Sequence, residues 1–367
     1  MVKMKRAGMD MYLLVSILIL MILGLVMVFS ASSIELLMQG HSPYQIFYKQ
    51  GKFVAMGIVI LFGTAYVDFR FWKKTAPVMY LISIIFLLLI FVPGLGVVSN
   101  HALRWLKLGS IQMQPSEIVK ITMILMMAKQ LSHKKEKELG TLKCFLTSAV
   151  YIAIPAVLTL MQPSFTSGVT IILVGASVLM ASGTKMRYFA FSAAAISPLL
   201  YFYVMKHTYM VGRFNASLDR WSVSQGGGFQ SIQSLYALAN GGLFGVGLGS
   251  STQKYQYIPE AQNDFIFAII GEELGLVGAT LVIGLFSFLI IRGIRASLNC
   301  PDAFGRITAF GITFMIGFQA IFNIMVAVGV APTTGIALPL FSAGGTSYLM
   351  VSFALGILLS ISRYQKA

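Results

Sequence analysis

Charge is what this chain of 367 residues has least of. Only 11% of it is Asp, Glu, Lys or Arg, while 57% is hydrophobic. A soluble domain of this length needs a larger polar surface, so a globular cytosolic enzyme is excluded. Acid is scarcest, with 12 Asp and Glu against 27 Lys and Arg and a net charge of +15. The basic excess falls in short clusters between apolar runs, not along a basic helix interleaved with aromatics. It therefore reads as membrane topology and attraction to anionic lipid, and no nucleic-acid partner is expected. Two cysteines, Cys144 and Cys300, and four histidines offer no disulfide framework and no Cys/His metal spacing.

What fills the chain instead is long apolar runs. Ten approach or exceed the roughly 18 residues needed to cross a bilayer: 11–31, 52–67, 75–92, 115–131, 143–161, 166–183, 187–205, 264–291, 307–329 and 338–361. Most Lys and Arg lie in alternate connecting segments, among them Lys3, Lys5 and Arg6; Arg70, Lys73 and Lys74; Lys134, Lys135 and Lys137; Lys185 and Arg187; Arg292, Arg295 and Arg306; and Arg363. That alternation fits an even number of spans with both termini in the cytoplasm. The first run is longer than the apolar part of a signal peptide, and removing it would spoil the alternation, so it is read as an uncleaved span. The expectation is an all-α, polytopic integral membrane protein: one domain over residues 1–367, with a large extracytoplasmic loop, 206–263, between spans seven and eight.

Two outer segments stand out. Residues 93–114 suggest a turn and then a short amphipathic piece, with Arg104 and Lys107 on one helical face and Trp105 as interfacial anchor. In the 206–263 loop, Phe229 to Ala239 suggests a short helix. The glycines that follow at 241, 242, 245, 247 and 249 suggest flexibility, or backbone N–H nests for phosphate. A polar loop of this length is usually functional.

Acids near the outer face are the candidates for chemistry. Asp264 stands where the wet loop meets an apolar run, as a general base at the water interface or as a helix N-cap. On a continuous helix Glu272 would share its side about 12 Å deeper, with Glu273 pointing almost opposite. Glu272 and Glu273 are read as a buried ion pair between helices or as the lining of a path. Glu117 and Lys120, at i,i+3 in the start of the fourth span, can pair either structurally or as a polarised site wall. Gln162-Pro163-Ser164 is a tight outer turn. The stretch from Asn323 through Pro332, Gly335, Pro339 and Ser342 to Gly345 is a broken approach to the last span, tolerated at membrane depth only where it is buried or lines a cavity.

These strings together resemble the FtsW/RodA/SpoVE family, also called SEDS proteins, over nearly the whole chain. The motifs that carry the likeness are Arg104-Trp105 and Gln114-Pro-Ser-Glu117-Ile-Val-Lys120; Gly228-Phe-Gln230-Ser-Ile-Gln233; and Gly241-Gly-Leu-Phe-Gly-Val-Gly. To these are added Pro259-Glu260-Ala, Asp264-Phe-Ile-Phe, Gly271-Glu-Glu-Leu-Gly and Pro332-Thr-Thr-Gly335. Asp302 to Arg306 and Gln319 to Asn323 are more like the FtsW/SpoVE branch. Four positions depart from the family pattern: Ser164 for an Asp, Asn263 for a Thr, Ala343 for a Tyr and Arg220 for a Pro.

The resemblance implies a ten-helix glycosyltransferase of the bacterial cytoplasmic membrane that polymerises lipid II into peptidoglycan strands. It also implies a class B penicillin-binding transpeptidase as partner. Asp264 would be the general base on the acceptor hydroxyl. Arg104, Lys107, Lys120, Arg213 or Lys254 would meet the departing diphosphate; a divalent cation such as Mg or Mn is a further candidate, with no ligands identified. Glu117, Gln230, Gln233 and Ser342 complete the expected substrate-binding set. A lipid II flippase and a non-catalytic scaffold for a transpeptidase are the alternatives from other classes.

Overall fold

The computed structural model describes residues 4–6, 8–99, 102–109, 111–221, 228–254, 258 and 261–366. The chain begins with β1 (Met4–Arg6), α1 (Met11–Met38), α2 (Gln45–Tyr66) and α3 (Phe69–Leu89), then β2 (Gly96–Ser99), β3 (Ala102–Leu108) and β4 (Ile111–Met113). Next come α4 (Pro115–Ser132), α5 (Glu136–Leu139), α6 (Leu142–Met161), α7 (Phe165–Ala181) and α8 (Met186–Lys206). The long loop 206–263 holds α9 (Thr208–Leu218) and α10 (Phe229–Gly241). The chain closes with α11 (Ile266–Asn299), α12 (Ala303–Ala327), α13 (Gly345–Ser362) and β5 (Tyr364–Lys366).

Eight helices, α1, α2, α3, α6, α8, α11, α12 and α13, are long and apolar enough to cross a bilayer. The other two runs read from the sequence are α4 and α7. α4 carries Glu117, Lys120 and Lys129 within 18 residues yet is largely buried, and α7 has 17 residues. All ten apolar runs are therefore helices, and the protein is a multi-pass membrane protein. Several helices start with a side chain that satisfies the orphan N–H groups of the first turn: Asp10 accepts from Leu13 N–H, Asp68 from Arg70, Thr141 from Cys144 and Asp302 from Gly305. The caps sit at the end of the bundle where β1 pairs antiparallel with β5, Arg6 opposite Tyr364.

α4, α12 and α13 form the packed centre, and the lipid-facing sides of α1, α2, α3 and α8 stay apolar and exposed. α8 buries only Tyr188. Two ends hold it to the bundle: the Tyr188 ring stacks on Phe145, and near the other end Tyr203 donates to the Leu160 carbonyl at 2.8 Å.

The segment 93–114 corrects the expectation of an amphipathic helix. It is a three-stranded antiparallel sheet, β2–β3–β4. Trp105 pairs with Val97 and Leu103 with Val98, so Arg104 is the extra residue of a β-bulge. Arg104 is half-buried and Lys107 exposed, so the common helical face does not form. The strand reading was masked because Leu103, Leu106 and Leu108 suit either element.

The last span also starts later than its apolar pattern. Residues 328–344 stay irregular, and α13 begins only at Gly345.

Candidate functional site

The irregular stretch 328–344 packs against α1, α9 and residues 262–263. Gly329 and Gly335 both have φ +74°, and buried Leu340 adopts φ +65°, a conformation costly for a residue with a side chain. The stretch is held from every side. Gly24 of α1 gives it room: a Cβ there would sit 2.1 Å from the Leu340 carbonyl oxygen. Ser342 Oγ donates to the Asn263 carbonyl at 2.5 Å and accepts from Leu338 N–H at 2.7 Å. Ala343 N–H donates to the Gln262 carbonyl at 2.9 Å. Arg213 of α9 donates to the Thr333 carbonyl at 2.9 Å, and Arg220 to that of Gly329 at 2.5 Å.

Asp264 lies inside this arrangement. Its side chain is half-buried, and a Cβ added at Gly335 would sit 3.4 Å from Asp264 Oδ2. The glycine thus leaves the carboxylate a face without a side chain. Asn323, buried in α12, donates Nδ2 both to the Asp264 carbonyl and to that of Ile336, each at 2.8 Å. It stitches the aspartate's backbone to the wall opposite. By backbone geometry the N-cap position of α11 falls on Phe265, which makes no side-chain cap bond. Asp264 therefore precedes the helix, and the wheel that grouped it with Glu272 does not reach it.

Glu272 and Glu273 are enclosed by the 206–263 loop. Glu273 pairs with Lys254 at 3.0 Å, both side chains fully buried, and accepts from Ser30 Oγ at 2.7 Å. Glu272 accepts from Ser251 Oγ, and from Thr252 through N–H at 3.0 Å and Oγ1 at 2.9 Å. Glu273 is in a buried ion pair, but its partner belongs to a loop and not to another helix. Lys254, expected at the diphosphate, is instead committed to this pair. Residues 251–254 cover the two glutamates that a flippase reading takes as the lining of a path.

Beside them α11 breaks. Gly275 has φ +66° and ψ −166°, and the two helical bonds that should cross the break are replaced from outside. Val246 and Gly247 N–H donate to the Glu272 and Glu273 carbonyls, while Leu276 and Val277 N–H donate to the Gly242 and Leu243 carbonyls, all at 2.9–3.1 Å. Backbone this close leaves no room for side chains: a Cβ at Gly245 would be 2.2 Å from Glu273 O, and one at Gly241 2.0 Å from Gly271 O. The glycine-rich stretch is thus neither a flexible linker nor a phosphate nest. It is a splint across a broken span, which satisfies groups that lipid cannot.

Lys120 Nζ meets Glu117 Oε1 at 2.8 Å with its side chain 4% exposed, and Ser347 Oγ at the start of α13 donates to Glu117 Oε2 at 3.4 Å. Thr346 Oγ1 reaches the Gln112 carbonyl at 3.5 Å, which ties β4 and its neighbour Lys107 to the same edge. Arg104 lies within electrostatic range of Tyr203 near the C-terminal end of α8. Gln230 and Gln233 are half-buried on α10, whose Ser234 donates to the Ala327 carbonyl at 2.6 Å. Ser342 is a backbone brace, adjacent to Asp264 through Asn263. Glu260 and Pro259 lie outside the described residues.

At the departures, Ser164 is buried and donates to Ser167 Oγ at 2.9 Å, so that turn offers no carboxylate. Among the described residues no three His, Cys, Asp or Glu side chains converge on a metal position. Asn323, read from the sequence only as the start of the broken approach to the last span, is what holds the backbone of Asp264. An Asn inside an otherwise apolar helix run was the available signal.

Residues 10–367 match the FtsW/RodA/SpoVE family, described as cell cycle protein. Stage V sporulation protein E of Bacillus subtilis (strain 168) is 38% identical over 365 residues, 99% of each chain. Probable peptidoglycan glycosyltransferase FtsW of Geobacter sulfurreducens (strain ATCC 51573 / DSM 12127 / PCA) is 38% identical over 353 residues, 96% of this chain and 95% of that one. Among solved structures, a chain from work on structural coordination of polymerization and crosslinking by a peptidoglycan synthase complex superposes with TM-score 0.80 at 28% identity. It covers 97% of this chain and 98% of that one. The rod shape determining protein RodA of Thermus thermophilus superposes with TM-score 0.72 at 25% identity over 97% of each.

Proposed function

This chain belongs to the FtsW/RodA/SpoVE family, and on that premise we propose that it is a peptidoglycan glycosyltransferase with Asp264 as its general base. The substrate is lipid II. Asp264 accepts the proton of the acceptor GlcNAc 4-hydroxyl as that oxygen bonds to the anomeric carbon of the donor MurNAc. The bond from that carbon to the undecaprenyl diphosphate oxygen breaks, and the diphosphate leaves with the electron pair. Attack opposite the leaving group inverts the anomeric centre and requires no covalent intermediate.

The observation that carries this reading is the half-buried Asp264 carboxylate beside Gly335, on backbone pinned by Asn323 and Ser342. A pre-positioned base at the water boundary is what a weak hydroxyl nucleophile needs. Arg104, Lys107 and Arg213 are the cations we assign to the departing charge, with the Glu117–Lys120 pair at the site wall. Gln230 and Gln233 remain candidates for sugar contacts. The protein works in the bacterial cytoplasmic membrane with both termini inside, beside a class B penicillin-binding transpeptidase. Support for that partner is the likeness to a chain of a peptidoglycan synthase complex.

Purified protein given labelled lipid II should yield a ladder of glycan strands. Asp264→Asn, nearly isosteric, should lower the rate by about 10²–10⁴ and leave the protein monodisperse. A well-folded Asp264→Asn protein that makes normal strands would remove Asp264 from the reaction.

A further inference from the structure

A cavity of about 590 Å³ opens at the end of the bundle opposite Asp264, lined by Gly8, Met9, Met11, Leu14, Phe62, Tyr66 and Arg363. We propose that it binds the headgroup phosphodiester of an anionic phospholipid from the leaflet beside the chain termini.

Two properties select that ligand. The first is a cation in an apolar wall. Arg363 donates through the single nitrogen Nη1 to the carbonyls of Ala65 at 3.2 Å and Tyr66 at 3.5 Å, which fixes it at the end of α2. A guanidinium carries five N–H donors in a planar fork that matches phosphate oxygens. The acid nearest the rim, Asp10, has its charge met by Arg292, whose Nε donates to it at 2.9 Å, and it also accepts from Leu13 N–H. Asp68 accepts from Tyr364 OH at 3.0 Å and from Arg70 N–H at 2.9 Å.

The second property is the route for a hydrocarbon tail. Met11 and Tyr66 at the rim are 60% and 66% exposed. From the rim, the exposed residues Tyr12, Val15, Ile19, Ile22 and Val26 continue along α1 at helical spacing as a lipid-facing stripe. A soluble phosphate compound would meet Met9, Met11, Leu14 and Phe62 without gain, whereas a lipid buries its glycerol and upper chain there. The wall itself is fixed in place: Asp10 N–H donates to Ser362 Oγ at 3.3 Å and holds residues 8–11 over the end of α13.

Native mass spectrometry of the full chain, titrated with phosphatidylglycerol and with phosphatidylcholine, tests this. Wild type should retain one phosphatidylglycerol in preference to phosphatidylcholine, and soluble glycerophosphate should not displace it. Arg363→Gln should lower that occupancy about tenfold, and Met11→Trp, which fills the cavity but keeps the charge, should do the same. Arg363→Lys should retain part of the preference, which separates loss of the site from loss of the fold. Lys134→Gln, a charge change elsewhere at the same end, should leave occupancy unchanged. If Lys134→Gln costs as much as Arg363→Gln, or if neither Arg363→Gln nor Met11→Trp matters, the attraction is diffuse and the proposal fails. Displacement by glycerophosphate would overturn the assignment to a lipid.

Discussion

Asn323 holds the carbonyl of Asp264 at 2.8 Å, and with the same nitrogen the carbonyl of Ile336. Two chain segments 72 residues apart in sequence number thus share one donor group, and the proposed base takes its position from a residue that need not touch substrate.

Asn323→Asp removes both donated bonds without changing size. Each unmade buried bond costs about 1–3 kcal/mol. Polymerisation should fall about tenfold or more in kcat, with little change in KM for lipid II, because Asp264 is mispositioned and not removed. Steady-state kinetics check this. A rise in KM at constant kcat would mean that Asn323 serves substrate binding.

The Lys254–Glu273 pair should behave as a buried unit. Lys254→Met leaves Glu273 without its counter-charge, which typically costs about 3–5 kcal/mol. The double variant Lys254→Met/Glu273→Gln should recover much of that loss. Thermal unfolding of the four proteins of the cycle in detergent measures the coupling. Additive losses would show that the pair is not coupled.

Gly245→Ala should be among the most damaging single changes. Its φ of +81° disfavours any side chain, and the new Cβ would lie 2.2 Å from the Glu273 oxygen. We expect a lowered unfolding temperature and loss of polymerisation together. By contrast Gly284→Ala, where nothing lies within 4 Å, should be silent. Equal effects would show that the close approach is not what requires glycine.

Topology is open to a labelling test. A cysteine at Leu218, exposed on α9, should react with an impermeant reagent added outside, and one at Lys134 should not. The native thiols add little background. Cys144 is buried, and burial pushes the Cys300 thiol up to about 11, so it stays protonated near neutral pH. The reverse labelling pattern would invert the orientation of the site.

The apolar runs were legible as helices because a chain in a bilayer has few alternatives. α10 was legible too, since Phe229 to Ala239 lacks helix breakers. The sheet around Arg104 was not: alternating leucines suit both periods, and the bulge leaves no local mark. Nor could composition show where Lys254 goes. A lysine in a polar loop reads as solvated, and only the fold brings it to Glu273, 19 positions on. Asp264 was legible as an unusual residue, but its setting depends on Gly335 and Asn323, which are remote in sequence. Site geometry built from segments that converge across the bundle has no counterpart in local pattern.

The break in α11 has a mechanical consequence. In an unbroken helix, torque passes along the axis through the i to i−4 ladder. Here the two bonds at Glu272 and Glu273 run sideways into residues 242–247, so a twist of the inner part of α11 is diverted into the 206–263 loop. The part before Gly275 and the shaft after it, at Leu276 and Val277, are both bonded to residues 242–247, which bridge the break. A force on the shaft would therefore reach the edge on which Asp264 sits by way of this bridge and not along a continuous helical ladder.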